Sequence, residues 1–526
     1  MSSNLQYVPE NAVLTGWDFS TGAVKCLAFD LEGNVLAEAR FPTELTLGPT
    51  GEIELNLLQL EGQARQTLRV ITAKLKKLGR LEDWIAGGIS ATHHTAGRID
   101  EYGGQVRRAI CWNDQTLAEF HERGEARLGG PERVRELIGG PWAIRYSLSH
   151  LVKDEEKLSE KYWTDTYRIQ THGGLAAGYL TGNFNVLSVS AAASTGMMDF
   201  RTCQWCREML NALEDEEHRR LAWDQLPEII PADTPVGSIA GMYDYEEAQL
   251  PPNLRGFGLA HQPAPLIFPT SDDQQAGLVG GGAVNDGEIA VILGNSAVVN
   301  SSCDKIPGAD VNLDVMALNW DSYLWMRCYS NGAYFIDRVL GENPDFGALE
   351  KAAEACGPGA NGARIWPFIV SEPSLGVEKP CLEWLSEEPT EGGERFRACL
   401  EALAYLIALG VEEHRKAGCA VKSISVSGGI AKSTLMCKIL ATVLNFPIRR
   451  LESQEGPALG AAVTALSAME NHLRAEKGIQ EKFTVHDAVQ KMVKFREEVE
   501  PVTPWITFYQ QELEKFRATL AEKTEK

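Results

Sequence analysis

The chain has 526 residues, 44% hydrophobic and 23% charged, with a formal net charge of −22. That length exceeds a single core and predicts two domains, while the acidic balance excludes a nucleic-acid binder, which needs a basic face. No apolar run is long enough to span a bilayer, and Met1-Ser2-Ser3-Asn4-Leu5-Gln6-Tyr7 has neither the basic nor the apolar region of a secretory leader, so a cytoplasmic location is expected. The 11 cysteines are scattered. Cys26, Cys111 and Cys437 sit in apolar surroundings that suit a reducing compartment. Cys203-Gln204-Trp205-Cys206 has no second pair at metal spacing.

Residues 12–31 predict strand, tight turn, strand: apolar runs at 12–14 and 24–29 flank Ser20-Thr21-Gly22. Asp18 precedes that turn. Exposed turn amides beside a carboxylate suit a metal-bound phosphate, although the same residue types fill ordinary turns. A third strand is predicted over 35–41. A helix follows over 60–78, with Leu68, Ile71, Leu75 and Leu78 at three- and four-residue steps. A strand over 85–90 ends in Ala91-Thr92-His93-His94, and another over 109–112 ends in Asn113-Asp114-Gln115. Polar residues at strand ends are where open α/β sheets place ligands. For His93 and His94 no metal role is expected, because no acid or cysteine stands at ligand spacing.

Residues 250–269 are rich in Pro and Gly and read as the connector between domains. Pro269-Thr270-Ser271-Asp272-Asp273-Gln274-Gln275 follows. Its acids suit a helix N-cap, or a carboxylate that accepts the proton of an attacking hydroxyl. The opening pattern then recurs over 288–302 as strand, small turn (Gly294-Asn295-Ser296), strand. Two such turns could grip a polyphosphate from both sides of a cleft. A strand over 423–427 runs into Gly428-Gly429-Ile430-Ala431-Lys432-Ser433 and a helix, which lets a ligand approach the backbone. This is not a Walker A loop, and residues 277–282 do not form a dinucleotide fingerprint. The small residues from 455 to 462 predict a helix packed under that loop. From about 470 onward, charged helix formers predict a surface helical tail.

Taken together, these segments resemble the FGGY carbohydrate kinases of the actin/hexokinase/Hsp70 superfamily. The resemblance runs from about residue 13 to about 470, on the segments 16–22, 90–95 with 112–114, 273–276, 293–296, and 428–433 with 458–462. It implies an α/β fold of two ribonuclease-H-like domains with a nucleotide and sugar cleft between them, over 1–265 and 266–475, then the tail over 476–526. It implies ATP-dependent phosphorylation of a polyol or ketose, with ATP and Mg²⁺ as cofactors. By position, Asp273 is the general base. Asp18 and Asp273 serve the metal. His93, His94, Trp112, Asp114, Asp273 and Gln274 contact the substrate. Ser20, Thr21, Gly22, Gly294, Asn295, Ser296, Gly428, Gly429, Ala431 and Lys432 contact ATP.

Four departures stand out. Ser20 replaces the family's usual Gly, Asn295 its Thr, Ala191 an acid, and Thr92-His93-His94 its usual sugar segment. The segment lacks the Arg-Glu pair of glycerol kinases, and Trp112-Asn113-Asp114 with Asp273-Gln274 resembles xylulokinases most. The expected substrate is therefore a ketose, D-xylulose first, at its terminal hydroxyl. Ribulose, sedoheptulose or another polyol are the alternatives, as is a catalytically weak sugar- or nucleotide-binding protein. The expected partners are the sugar and ATP, with neither nucleic acid nor membrane, and a homodimer is left open.

Overall fold

The computed structural model describes residues 5–239, 264–269, 271–308, 311, 313–341 and 344–524. The chain forms two compact units: Met1–Gly280 with Val315–Tyr323 and Pro457–Val493, and Gly281–Asp314 with Leu324–Gly456 and Lys494–Lys526. Both units are interleaved in sequence, unlike the linear division at 265 and 475. Most of the expected connector, 250–263, lies outside the described residues.

In the first unit the main sheet runs Gly237–Ser238, Leu266–Ile267, Trp84–Ala91, Val13–Phe19, Ala23–Phe29, Val35–Pro42, and Ser271–Asp272 also pairs with Trp84–Ala91. The opening strand Val13–Phe19 is buried at every residue, as a central strand covered on both faces must be. On one side the helix Leu57–Lys77 packs on Ala23–Phe29 and Val35–Pro42. It starts at Asn56, whose side chain accepts the Leu58 N–H, and of the expected spacing it buries Leu68, Ile71 and Leu75, whereas Leu78 is its exposed C-cap. Elsewhere the helix Gly456–Glu476 approaches so closely that a Cβ at Gly16 would lie 1.7 Å from the Ala458 carbonyl oxygen, and one at Gly88 2.2 Å from that of Ala461. Its small residues therefore pack on the first unit's strands. A smaller five-stranded sheet carries Gln105–Ile110, Ala96–Ile99 and Arg168–Thr171.

The second unit repeats the plan. Its sheet includes, in order, Tyr323–Tyr329, Ala297–Cys303, Glu288–Leu293, Ser423–Ser427, Ile448–Leu451 and Phe495–Val499. Each unit thus has an opening hairpin whose first strand also pairs in parallel with a later strand. The helix Gly392–Lys416 buries Phe396, Leu400, Leu403, Ile407 and Val411 in the core. The expected surface tail is different in kind. Phe495–Val499 extends the sheet, and the helix Ile506–Thr524 contributes Tyr509, Leu513 and Phe516 to the core. Those apolar residues, hidden among charged helix formers, are what hold it in place. None of the eleven cysteines, Cys203 and Cys206 included, takes part in a disulfide. No helix of the described residues is long and apolar enough to cross a membrane.

Candidate active site

Asp18 lies near the C-terminal end of the buried opening strand, opposite Lys25 on one neighbour and Ser90 on the other. The Ser90 hydroxyl donates to Asp18 Oδ1 at 3.4 Å, and Lys25 Nζ stands 3.8 Å from Oδ2. The next turn closes on itself. Ser20 Oγ donates to the Ala23 carbonyl at 2.8 Å and accepts the Ala23 N–H at 3.2 Å. This is a physical reason for serine where the family usually has glycine: the hydroxyl builds the turn. At Gly22 a Cβ would meet nothing within 4 Å, so the fold itself does not demand glycine there.

Ser271–Asp272 extends Trp84–Ala91 in parallel, pairing Ser271 with Ser90 and Asp272 with Ala91. Asp18 and the 272–273 acids thus flank one strand end. Asp272 caps the helix Asp273–Gly280: its Oδ1 accepts the Gln274 and Gln275 N–H groups, both at 2.9 Å. Its Oδ2 accepts the Ser190 hydroxyl. Asp273 is the acid with capacity left, because its Oδ1 is buried without a hydrogen-bond partner. Burial, then the negative charges of Asp272 and Asp18, push its carboxyl up to about 8, against partial relief from the His93 backbone and Gln274. A carboxyl poised near neutrality is the kind that exchanges protons in a mechanism.

The histidines follow the same strand end. His94 adopts a left-handed φ of 59°, uncommon outside glycine, and its ring stacks between His93 and Tyr146 at centroid distances of 3.6 and 4.3 Å. Its Nδ1 lies 2.8 Å from the Ser194 carbonyl. A carbonyl only accepts, so Nδ1 carries the proton. Burial, with His93 and Arg145 adding to it, holds the ring neutral, its protonation shifted well below the usual range. Nε2 is then a bare acceptor, buried without a partner. His93 offers a ligand atom within 4.8 Å of atoms on Asp272 and Asp273, a set that could hold a metal ion. No acid stands at ligand spacing in the sequence because the fold brings these acids in from a neighbouring strand. Asp18 is not one of that trio.

Trp112 is 39% exposed. Asp114 is buried and committed. Its Oδ2 accepts the Ile53 N–H at 3.0 Å, with Lys153 Nζ at 3.4 Å, and its Oδ1 accepts the Thr116 N–H at 2.9 Å and hydroxyl at 2.5 Å. Its carboxylate holds a turn. Ser190, bonded to Asp272, and Asn319 behind it were not singled out by the sequence. Asn319 Oδ1 accepts the Ser190 N–H at 2.9 Å, and the Asn319 N–H donates to Gln275 Oε1 at 3.2 Å. No local motif marks Asn319, which reaches the site only through the chain path. Ala191 is buried.

In the second unit, Gly294–Ser296 closes with the Gly294 N–H on the Ser296 carbonyl at 3.0 Å. The Gly294 and Asn295 carbonyls accept the Ala333 and Gly332 N–H groups at 2.8 and 3.0 Å, which ties the turn to the helix Ala333–Leu340. Gly428 ends the neighbouring strand at φ +94°, where a Cβ would lie 2.3 Å from the Leu293 carbonyl oxygen; only glycine fits that approach. Gly429 has open space, Ala431 is buried, and Lys432 is exposed. The Ser433 side chain accepts the Met436 N–H at 3.0 Å and donates to Glu350 at 3.0 Å, fixing the start of the helix Thr434–Leu444. This unit's two turns expected to meet nucleotide are therefore adjacent, at the ends of parallel strands.

The chain matches two family descriptions: the N-terminal domain of the FGGY family of carbohydrate kinases over residues 13–246, and the C-terminal domain over 386–469. A xylulose kinase of Haemophilus influenzae is 25% identical over 393 residues, 72% of this chain and 75% of that protein. One from Bacillus subtilis is 24% identical over 504 residues, 91% and 94%. Among solved structures, a ligand-bound xylulose kinase from Lactobacillus acidophilus superposes with a TM-score of 0.79 at 17% identity, covering 97% of this chain and 98% of that one. A gluconate kinase from the same organism gives 0.77 at 17%, with the same coverage. At that identity the likeness establishes the fold and leaves the choice of sugar to the site.

Proposed function

The chain belongs to the FGGY family of carbohydrate kinases, and from that premise we propose that it transfers the γ-phosphoryl group of ATP to a terminal hydroxyl of a ketose, D-xylulose first. The observation that carries the reading is Asp273, a carboxyl with an unpartnered buried oxygen and a proton affinity raised to about 8. As a carboxylate it takes the proton of the sugar hydroxyl while that oxygen bonds to phosphorus and the bond to ADP breaks. Little covalent chemistry falls to the protein in such a transfer; positioning and charge do most of it. His94 Nε2 accepts a substrate hydroxyl, and Gln274, His93 and Trp112 complete the sugar contacts. Asp114 supports them through its turn.

Hard oxygen donors suit Mg²⁺, and Asp273, with Asp18 close enough for its charge to raise the Asp273 carboxyl, would hold it. When bound, the cation neutralises phosphate charge. Ser20–Gly22, Gly294–Ser296, Gly428, Gly429, Ala431 and Lys432 are the residues for ATP. The choice of D-xylulose over ribulose, sedoheptulose or a polyol follows the xylulose kinases among the relatives. A coupled ADP-release assay across ketoses and polyols tests the proposal. Turnover with D-xylulose is expected, and turnover with glycerol alone overturns the ketose assignment. If neither wild type nor Asp273→Asn turns over any sugar that both bind, the chain is a sugar-binding protein.

A further inference from the structure

The geometry points to Asn319 and Trp320 as a donor pair that reads an acceptor oxygen of the substrate, the carbonyl of an open-chain ketose. The inference rests on the ketose kinase reading. Asn319 Oδ1 faces the Ser190 N–H. A backbone N–H meets only an acceptor, so the amide orientation is fixed and Nδ2 is the free end. That Nδ2 is buried without a partner, and so is Nε1 of the next residue, Trp320. Each nitrogen can only donate. The segment is fastened where the chemistry is. The Ser190 hydroxyl bonds Asp272, and Gln275 belongs to the helix that Asp273 begins. The far end of the short helix Val189–Ala193 leads to Ser194, whose carbonyl takes the His94 proton.

Four buried unpartnered polar atoms therefore belong to one connected set of elements: His94 Nε2, Asp273 Oδ1, Asn319 Nδ2 and Trp320 Nε1. Buried donors left unmatched are costly, and native proteins keep few of them. The first two suit hydroxyls. The last two are donors on consecutive residues, and a ketone oxygen, with two lone pairs and no proton, accepts both. An alditol hydroxyl in the same place would bring a proton of its own that neither donor can receive. Ala191, buried beside Ser190 where the family usually has an acid, adds no acceptor of its own. A site built to bond a given polar group discriminates strongly against analogues that lack it.

The test uses Trp320→Phe, which removes only the N–H, and Asn319→Asp, which keeps an oxygen for Ser190 and removes the donor. KM and kcat are measured for D-xylulose and for ATP. Thermal shifts are read with D-xylulose and with xylitol, in variants whose unliganded melting matches wild type. Each variant is expected to raise KM for the ketose by about tenfold or more, to leave KM for ATP within about twofold, and to erase most of the preference for ketose over alditol. An unchanged ketose KM in both variants, or equal losses for ketose and alditol, overturns the donor pair while the kinase assignment stands. A wild-type protein that turns over no ketose overturns both.

Discussion

At the residue scale, one carboxyl is asked to be costly in order to be useful. Asp273 is held up to about 8, first by burial and then by Asp272 and Asp18, from an ordinary value of 3.8. A folded carboxyl that binds its proton more tightly than the unfolded one adds stability at low pH. That contribution is lost as pH rises through the window from 3.8 to about 8. Asp273→Asn removes the dependence. The variant is expected to melt higher than unliganded wild type by an amount that grows between pH 5 and pH 8.5 and corresponds to roughly 1–3 kcal/mol at the upper end. A melting difference that is flat with pH would count against the raised carboxyl. The same substitution should lower kcat by about 10²–10⁴-fold, the usual weight of a general base, with ATP binding retained. In the wild type, kcat/KM should rise with pH towards about 8, because the free enzyme must shed that proton before Asp273 can accept another.

At the scale of elements, the first unit is organised by backbone contacts that permit no side chain. A Cβ at Gly460 would lie 1.8 Å from the Ala276 carbonyl oxygen, and one at Gly16 1.7 Å from that of Ala458. The helix Gly456–Glu476 thereby touches both the strand that carries Asp18 and the helix that begins at Asp273, and it fixes the two relative to each other. Backbone atoms cannot swing aside as a lysine tip can, so the helix itself must move. Gly16→Ala and Gly460→Ala are each expected to cost about 1–3 kcal/mol or somewhat more, read as a lower urea midpoint. Gly22→Ala, which meets open space, should stay within about 0.5 kcal/mol of wild type. If Gly22→Ala nonetheless weakens ATP binding, the turn serves the phosphates and not the fold. Equal stability losses at all three glycines would show that the close approach is not what sets the cost.

At the scale of the whole molecule, what could be read from the sequence was what is local. The Asp18 hairpin, the Gly294 turn, the Gly428 loop and the helix that Asp272 caps are each set by a few adjacent residues, and each formed as the pattern required. The first unit's assembly from three separate stretches was hidden, because nothing near residue 457 states which strand its backbone will touch. Asn319 and the commitment of Asp114 were hidden for the same reason. The last segment was misjudged on composition. Most of its charges are exposed, but Glu512 is buried and Tyr509 fully so. The Tyr509 hydroxyl donates to Glu401 Oε1 at 2.7 Å and accepts from Arg397 Nη2 at 2.9 Å. Burial is the main cause that holds the Glu401 carboxyl above its usual range, so the hydroxyl and the guanidinium are what make its charge tolerable there. Tyr509→Phe removes one donor from that acid, leaving the Arg397 guanidinium and the Gly359 N–H, and should cost about 1–3 kcal/mol. Deleting residues 494–526 also strips the Phe495–Val499 strand and the buried Leu513 and Phe516. At about 1.5–3 kcal/mol for each large apolar side chain, that loss approaches the whole stability of a domain. The truncated chain is therefore expected to lose its second unit, seen as rapid proteolysis within residues 281–456 and as loss of the ATP-induced melting shift. A truncated protein that keeps both protease resistance and the ATP shift would return the segment to the surface role that its composition suggests.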